Sequence, residues 1–259
     1  MTRTRGWRAM VSALALGAAA AEREVQVPEI VVTPARGPAA LTNITQAVGV
    51  LQESDTATVV APKANVAELL TWQPGIRVTV LSRNDANWGS FGGLGPKYST
   101  FMLDGLPIDA FVDTQALDPW ALERIEAQRG PAAVLYPNYL SQDFAGNQSP
   151  LAGTVNLITR TAIPAPRTRL DAAWGSYNTW RLRGAHENRI GRLSFFGGAF
   201  WEDSDYTNYG SENSWLNMLD DPEYTKLRLW AGGRLDLDED GRHALSAFAN
   251  WMHHEGDAG

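Results

Sequence analysis

The stretch EYTKLRLWAGGRLDLDED, residues 223–240, decides the fold because its side chains alternate between two kinds. A β-strand points successive side chains to opposite faces of its sheet, so this alternation becomes a difference between two faces. One face receives Thr225, Leu227, Leu229, Ala231, Gly233, Leu235 and Leu237, and the other receives Tyr224, Lys226, Arg228, Trp230, Gly232, Arg234 and Asp236. One apolar and one polar face over about a dozen residues is typical of a strand that crosses a bilayer in a β-barrel.

Four further stretches between residues 167 and 256 have similar length and alternation. They are RTRLDAAWGSY, NTWRLRGAHENRI, GRLSFFGGAFWEDSDY and RHALSAFANWMHHEG. Tryptophans fall near the ends of these strands, at positions that suit an aromatic girdle at a membrane interface; they are Trp174, Trp180, Trp201 and Trp251. The sequence therefore predicts antiparallel transmembrane strands over 163–259, and a soluble antiparallel sandwich is the alternative.

The N-terminus has the three parts of a secretory signal peptide. Arg3, Arg5 and Arg8 precede an apolar run over 10–21, which ends in an Ala-x-Ala cleavage pattern. We therefore expect residues 1–21 to be removed on export. No later segment approaches the roughly 18 apolar residues of a transmembrane helix.

Charge and composition argue against several classes of function. The formal net charge of −7 does not suit a nucleic-acid partner, because phosphate binding requires a basic face. The chain has no cysteine, so it has neither a disulfide framework nor a thiolate metal site. It has no G-x-S-x-G or H-E-x-x-H motif, and enzyme activity is not expected. His253-His254 beside Met252 and Glu255 suggests a copper site, but a solvated strand end is the interpretation that we favour.

Residues 62–162 predict a compact α+β domain of short elements. NVAELLTWQPG indicates a helix that begins after Asn65 and ends at Pro74-Gly75, and IRVTVL alternates as a strand. NDANWGSFGGLGPK is expected to be a glycine-rich polar loop. STFMLDGLPI predicts a hairpin about Asp104-Gly105. LDPWALERIEAQRG predicts a short helical turn capped by Asp118 and followed by a strand, and GTVNLIT predicts a closing strand.

Residues 22–61 form a less regular segment in front of that domain. Its one β-like run, PEIVVTPARG, is flanked by Pro28 and Pro38, which confine it to an extended, edge-like conformation. Such a short apolar strand suits addition to the sheet edge of a partner protein, and a plain linker is the alternative.

The order of these pieces resembles that of the TonB-dependent outer-membrane receptors. EIVVTPAR is similar to their TonB box, VAELLTWQPGIRV to the opening helix and strand of their plug domain, and FMLDGLPI to their LDG-P hairpin. LERIEAQRGPAAVLY is similar to their IE-I-RGP---LYG element, and LAGTVNLIT to their closing GG-VNI-T strand. The five motifs follow the family's order across residues 22–162, and WGSYNTWR resembles the start of the barrel.

The resemblance implies a fold, a location and partners. The fold is an α+β plug domain over 62–162, followed by antiparallel strands of an incomplete transmembrane β-barrel. The location is the cell outer membrane, where the barrel contacts lipid. The chain is then expected to bind a TonB-type energy-coupling protein and to take up a scarce small-molecule ligand, with no cofactor. The residues implied for TonB binding are Glu29, Ile30, Val31, Val32 and Thr33.

The resemblance also places two polar plug loops at the extracellular side, where they would contact the ligand. The residues implied are Asn84, Asn87 and Trp88 after IRVTVL, and Tyr139, Gln142 and Asp143 on the loop over 136–149. Their side chains suit hydrogen bonding and stacking with a polar ligand. The expected ligand is a metal chelate such as a ferric siderophore, and the alternatives are copper, cobalamin, haem or an oligosaccharide.

Two departures from the family pattern bear on these expectations. Phe91-Gly92 stands where the family usually has Arg-Gly before the LDG hairpin, and Tyr136-Pro137 stands in place of the usual Tyr-Gly. The missing arginine leaves Glu126 and Arg129 as the residues implied for contacts between plug and barrel. The second departure is followed by an insertion before Ala152-Gly153.

The number of predicted strands is small for such a barrel. Transporters with a plugged lumen have about 22 strands, whereas the region after residue 162 supplies only four or five. An open sheet edge in lipid leaves backbone groups without hydrogen bonds. The sequence is therefore expected to be the N-terminal fragment of a longer receptor.

Overall fold

The structure of the 259-residue chain is a computed structural model. It describes residues 31–32, 39–40, 47–53, 55, 66–71, 73–80, 87–94, 98–108, 112–130, 152–161, 163–205, 223–238 and 243–256. The predicted signal peptide lies outside these residues. The strands are β1 (Val31–Val32), β2 (Ala39–Ala40), β3 (Val48–Gln52), β4 (Ile76–Val80), β5 (Asn87–Phe91), β6 (Ser99–Leu103), β7 (Leu106–Ile108), β8 (Leu122–Arg129), β9 (Gly153–Thr159), β10 (Arg167–Gly175), β11 (Thr179–Ile190), β12 (Leu193–Ser204), β13 (Tyr224–Asp236) and β14 (Ala244–Gly256).

The helical elements are short. They are α1 (Val66–Leu70), α2 (Val112–Ala116) and a 3₁₀ turn at Pro119–Ala121. Within the described ranges, the chain forms no helix of the length and hydrophobicity that a bilayer crossing requires.

Five strands form a mixed sheet in the order β3-β8-β9-β6-β7, which we call the plug sheet. β8 pairs antiparallel with both β3 and β9, and β6 runs parallel to β9. β3 joins this sheet although it precedes residue 62, where the sequence placed the start of the plug. Leu51 on β3 lies opposite Ile125 on β8, and both side chains are buried, so the shared core holds this early strand in place.

The hairpin predicted at STFMLDGLPI is confirmed. β6 and β7 are joined by Asp104 and Gly105, whose φ angles are 50° and 84°. Two successive left-handed residues give a type I′ turn, whose twist matches that of antiparallel strands. The Asp104 carboxylate also accepts hydrogen bonds from the amide and the hydroxyl of Thr159, at 2.9 and 2.7 Å. The turn is thereby attached to the end of β9.

The polar loop predicted at NDANWGSFGGLGPK is wrong for five of its residues, because Asn87–Phe91 form β5. This strand pairs antiparallel with β4, with Val80 opposite Asn87 and Ile76 opposite Phe91. Trp88 and Phe91 are residue types that favour strands, and β4 offers an edge with which they can pair. The glycines that follow obscured this preference in the sequence.

The plug core lies on one face of the plug sheet, against α1. Val66, Leu69 and Leu70 are each at most 2% exposed, and they pack with buried residues of four strands. The strand residues include Leu51, Phe101, Ile125, Ala127, Val155 and Leu157. A five-residue helix is too short to persist alone in water, so this packing stabilises α1. Burial of each leucine or valine contributes about 1.5–3 kcal/mol.

The five strands predicted over 167–256 are confirmed as an antiparallel meander in the order β10-β11-β12-β13-β14. We call it the meander sheet. Its strands are 9 to 13 residues long, and β10 and β14 are its two edges, so the sheet is open among the described residues. Tyr177 and Asn178, with φ 59° and 49°, lie in the tight turn between β10 and β11.

The meander sheet buries its polar face and exposes its apolar face. On β13, Arg228 is 0% exposed whereas the neighbouring Leu229 is 44% exposed. The other exposed large apolar side chains of this sheet are Leu170, Trp174, Trp180, Leu182, Ile190, Leu193, Leu235, Leu245 and Trp251. A water-soluble sandwich buries such side chains between its sheets, so the predicted alternation is confirmed with the polarity of a membrane strand.

Two aromatic rings cover glycines on the buried face of the meander sheet. Trp230 lies opposite Gly198, and Phe196 lies opposite Gly232 on neighbouring strands. A Cβ atom at either glycine would overlap the facing ring. The two rings pack with Ala121 of the 3₁₀ turn, which brings the plug against this sheet.

Candidate functional site at the interface of the plug and the meander sheet

The 3₁₀ turn at Pro119–Ala121 is the part of the plug that meets the polar face of the meander sheet. The predicted cap is confirmed, since the Asp118 carboxylate accepts a hydrogen bond from the amide of Trp120 at 2.9 Å. Pro119 occupies the first position of the turn, where its fixed φ angle and missing amide are tolerated. The cap fixes the positions of both Asp118 and Trp120 relative to the meander sheet.

Asp118 forms a buried ion pair with β11. Its Oδ2 lies 3.3 Å from Nε of Arg183, and the two side chains are 0% and 5% exposed. Burial raises the pKa of the Asp118 carboxyl, and the charges of Arg183 and Arg228 oppose that rise. Because removing both charges from water is costly, either partner left alone in this interface would be strongly destabilising.

Trp120 contacts two arginines of the meander sheet. The guanidinium carbons of Arg169 and Arg183 lie 4.5 and 5.2 Å from its ring centroid. Its backbone carbonyl accepts hydrogen bonds from Arg160 at 2.8 Å and from Arg169 at 3.3 Å. Cation–π attraction is strongest where water is excluded, so this residue contributes to docking through both its ring and its backbone.

Glu53, directly after β3, brings the start of the plug to the same place. Its carboxylate lies 2.6 Å from Arg169, 3.0 Å from Arg167 and 2.8 Å from Arg160. Burial raises the pKa of Glu53, but the hydrogen bond to Arg160 and the charges of the three arginines outweigh burial and hold the pKa below its usual value. Glu53 is therefore ionised at neutral pH and paired with all three arginines.

Arg160 links the plug to the meander sheet directly. It follows β9, and its guanidinium lies 2.8 Å from Glu53 and 3.2 Å from Glu187 on β11. Arg160 and Glu187 are each about 7% exposed in their side chains. One arginine thus joins the first strand of the plug, the last strand of the plug and the meander sheet.

A second charged cluster lies further along the buried face of the meander sheet. The Glu202 carboxylate pairs with Arg181, accepts a hydrogen bond from the Tyr224 hydroxyl at 3.1 Å and lies 3.8 Å from Lys226. Glu202 and Lys226 are each 1% exposed. The cluster connects β11, β12 and β13, and it places charged groups where a soluble protein has its apolar core.

The structure describes only part of the predicted TonB-binding and ligand-binding residues. Val31 and Val32 form β1, which pairs with β2. Asn87 and Trp88 lie in β5, not on the predicted loop. Outside the described residues lie Glu29, Ile30, Thr33, Asn84, Tyr139, Gln142 and Asp143.

The two residues predicted for contacts between plug and barrel both lie on β8. Glu126 is 4% exposed and accepts a hydrogen bond from Arg124 at 2.8 Å, whereas Arg129 is exposed at the end of the strand. Their predicted role stays a prediction. The contacts described above are made by other plug residues, namely Glu53, Asp118, Trp120 and Arg160.

Sequence reasoning identified Asp118 only as a helix cap and missed the other interface residues. One available signal was the pair of arginines two apart on β10, Arg167 and Arg169, and a second such pair on β11, Arg181 and Arg183. Residues two apart share a face of a strand, so these pairs predict carboxylates opposite that face. Which carboxylates those are depends on the tertiary fold, and Glu53 carries no local signal.

The strand order and motifs of the plug have counterparts in known proteins. Residues 40–139 match the family model described as the TonB-dependent Receptor Plug Domain. Residues 40–139 belong to the plug-domain family of the TonB-dependent receptors. The resemblance drawn from the sequence is thereby confirmed, together with a plug domain followed by antiparallel strands.

The chain is similar to several proteins that are named for different ligands. It is 27% identical over 169 residues to the ferric enterobactin receptor of Pseudomonas aeruginosa, over 58% of this chain and 21% of that protein. The ferripyoverdine receptor of the outer membrane of the same species, bound to ferripyoverdine, superposes with a TM-score of 0.65 at 17% identity, over 86% of this chain and 27% of that one. The copper transporter OprC superposes with a TM-score of 0.58 at 16% identity, over 82% and 32%. The chain therefore spans 21% to 32% of the length of these proteins.

Proposed function

We propose that this chain acts as an outer-membrane receptor that takes up a scarce small-molecule ligand with energy supplied through a TonB-type protein. The observation that carries the proposal is the polarity of the meander sheet. Its charged face is buried against the plug, and its leucines and tryptophans are exposed on the other face. Lipid is the solvent in which such an exposed face is stable.

Three of the four tryptophans predicted for the girdle support an orientation in the membrane. Trp174 and Trp180 lie opposite each other at the tip of the β10–β11 hairpin, and Trp201 lies on β12 towards the same end. Trp251 lies near the middle of β14, opposite Leu229 on β13. Indole rings favour the boundary between lipid and water. We infer that this end of the meander sheet lies at one membrane interface, and by analogy with the family it is the extracellular one.

The proposed ligand is a metal chelate, with a ferric siderophore as the first candidate. Two of the similar proteins are a ferric enterobactin receptor and a receptor bound to ferripyoverdine, which supports this class. Copper is the second candidate, because the copper transporter has the same fold. The proposed contacts are Asn84, Asn87, Trp88, Tyr139, Gln142 and Asp143.

Transport must disrupt contacts that the interface residues make between the plug and the meander sheet. Glu53, Asp118, Trp120 and Arg160 hold the plug to the meander sheet through buried charges and cation–π contacts. A ligand passes only if some of these contacts open, and a partner bound at residues 29–33 would apply the force. Residues 29–33 precede Glu53 in the chain, so such a force reaches Glu53 before the rest of the interface.

The experiment replaces Val32 by proline in the intact receptor. Proline removes a backbone donor from the strand that would pair with the energy-coupling protein, so Val32→Pro should abolish uptake of radioactive ferric chelate while leaving chelate binding at the cell surface. Val32→Thr is the matched control, because it keeps the amide and the β-branched shape, and it should transport normally. Undiminished uptake by Val32→Pro would contradict the proposal.

A further inference from the structure

Two residues of the segment proposed to bind the energy-coupling protein, Val31 and Val32, form a hairpin with Ala39 and Ala40. Val31 lies opposite Ala40 and Val32 lies opposite Ala39, in an antiparallel two-stranded sheet of β1 and β2. Among the residues that the structure describes, no third strand joins this small sheet. The coupling strand is therefore one half of a paired unit in this structure.

Three prolines lie close to these two strands in the sequence. Pro34 and Pro38 lie in the connection between β1 and β2, and Pro28 lies before β1. Proline has no backbone amide to donate and fixes its own φ angle.

Pairing with β2 leaves half of the backbone groups of β1 available. In an antiparallel ladder, successive residues direct their amide and carbonyl groups to opposite sides of the strand. Of Val31 and Val32, one therefore directs these groups towards β2 and the other directs them away. A partner strand can hydrogen-bond to the outer edge of β1 while the hairpin stays closed.

We propose that the hairpin of β1 and β2, and not β1 alone, is the docking unit for the energy-coupling protein, which adds its strand to the outer edge of β1. This inference rests on the proposed function and extends it to Ala39 and Ala40. Ordering an isolated two-residue strand costs backbone entropy on binding. The hairpin has already ordered β1, and such preorganisation tightens binding without a new contact.

The opposite mechanism makes the opposite prediction. If the partner instead replaced β2, the hairpin would compete with binding, and closing it permanently would prevent association. The two mechanisms therefore differ in the sign of the effect that a locked hairpin produces.

The chain contains no cysteine, so a disulfide can be introduced without competing thiols. Val32→Cys/Ala39→Cys places two thiols at directly opposite positions. Such positions have Cα atoms about 4.5–5.5 Å apart, within the range that a disulfide spans. The measurement is the affinity of the intact receptor for the purified periplasmic domain of a TonB protein, in the oxidised and reduced states.

We expect the oxidised double variant to bind the TonB domain about threefold to tenfold more tightly than the reduced one, because an isolated two-stranded hairpin is only marginally stable in water and the disulfide keeps it closed. The single variants Val32→Cys and Ala39→Cys are the controls and should not respond to oxidation. Equal affinity in the two states would overturn the inference, and so would loss of binding on oxidation.

A second variant tests the same inference without a disulfide. Ala39→Pro/Ala40→Pro removes two backbone donors from β2 and leaves β1 intact. Binding of the TonB domain should weaken by about threefold to tenfold if the hairpin is the docking unit. Unchanged or tighter binding would overturn the inference.

These outcomes are separate from the proposed function. If the unmodified receptor does not bind the TonB domain and Val32→Pro does not affect uptake, the proposed function itself fails. If the unmodified receptor binds and Val32→Pro abolishes uptake, the function stands. The affinities of Val32→Cys/Ala39→Cys and Ala39→Pro/Ala40→Pro for the TonB domain then decide whether the partner strand adds to β1 or replaces β2.

Discussion

The plug sheet and the meander sheet both consist of five strands, yet Leu157 of the plug sheet is 0% exposed while Leu229 of the meander sheet is 44% exposed. In the plug sheet, apolar side chains meet α1 and leave water, as in a soluble domain. In the meander sheet, the buried face instead carries Arg183, Glu187 and Arg228. The two sheets thus use the two faces of their strands in opposite ways. The plug sheet hides its apolar face from water, whereas the exposed apolar face of the meander sheet suits lipid.

The difference teaches where each region obtains its stability. The plug gains it from the hydrophobic effect, which acts wherever water is excluded. The meander sheet gains little from burying charges as such, because desolvation offsets their attraction. Under the proposed membrane location, its folding in the described form depends on two neighbours, namely lipid on one face and the plug on the other.

The largest effect is expected at the contact between the two regions. Asp118→Ala removes the carboxylate 3.3 Å from the Arg183 side chain, which is 5% exposed. Removing one partner of a buried ion pair costs about 3–5 kcal/mol. We expect faster hydrogen exchange in the amides of β10 and β11 when the protein is refolded into detergent micelles.

The double variant Asp118→Ala/Arg183→Met is the control for that experiment. It removes both charges and keeps much of the arginine's volume, so it should recover most of the lost protection. If the single variant exchanged at the normal rate, the ion pair would not hold the plug to the meander sheet.

The next effect distinguishes the solvents of the two sheets. Leu229→Arg places a charge on the exposed face of the meander sheet, which should cost about 2–4 kcal/mol near the middle of a bilayer. Leu106→Arg is the matched change on the plug sheet, where Leu106 is 71% exposed, and it should cost at most about 0.5 kcal/mol. Urea titration of the protein folded into lipid vesicles gives both values, and equal small effects would show that the meander face is in water.

The smallest effect is expected at Glu53, which is partly accessible. Glu53→Gln removes a charge shared by three arginines, and we expect a loss of about 1 kcal/mol because solvent screens part of the attraction. Since the folded-state pKa of Glu53 is lowered, its contribution is fully present above its unfolded pKa and is lost as the pH falls through the folded value.

The decrease in the free energy of unfolding at acid pH measures the contribution of Glu53. The wild-type protein should lose more stability than Glu53→Gln between about pH 5 and pH 3. Glu255→Gln is the control, because the Glu255 side chain is 83% exposed, and it should follow the wild type. Parallel curves for all three proteins would mean that Glu53 makes no net contribution.

Local chemistry predicted much of this fold. The turn at Asp104-Gly105, the cap at Asp118 and the alternation along β13 each depend on residues close in sequence. Type I′ turns, caps and two-residue periodicity are local rules, so a single sequence carries them.

Pairings between distant segments were not predictable in the same way. Predicting β5 would have required knowing that β4 has an edge available for pairing. Placing β3 in the plug sheet would have required knowing that Leu51 lies opposite Ile125. The ion pairs of Glu53 with Arg160 and Arg169 join residues more than a hundred positions apart along the sequence. Nothing local distinguishes Glu53 from other surface glutamates, so the interface had to come from the structure.

The aromatic rings over Gly198 and Gly232 have a consequence for how this protein can change over generations. A larger residue at Gly198 collides with Trp230, and a larger residue at Gly232 collides with Phe196. Conversely, a small residue at position 230 or 196 would open a void beside the plug. Gly232 and Phe196 therefore form a coupled pair, and we expect a descendant to exchange large for small there only by altering both members together. At Gly198 a Cβ atom would also collide with the backbone oxygen of Gly184, so we expect this glycine to persist whatever residue replaces Trp230.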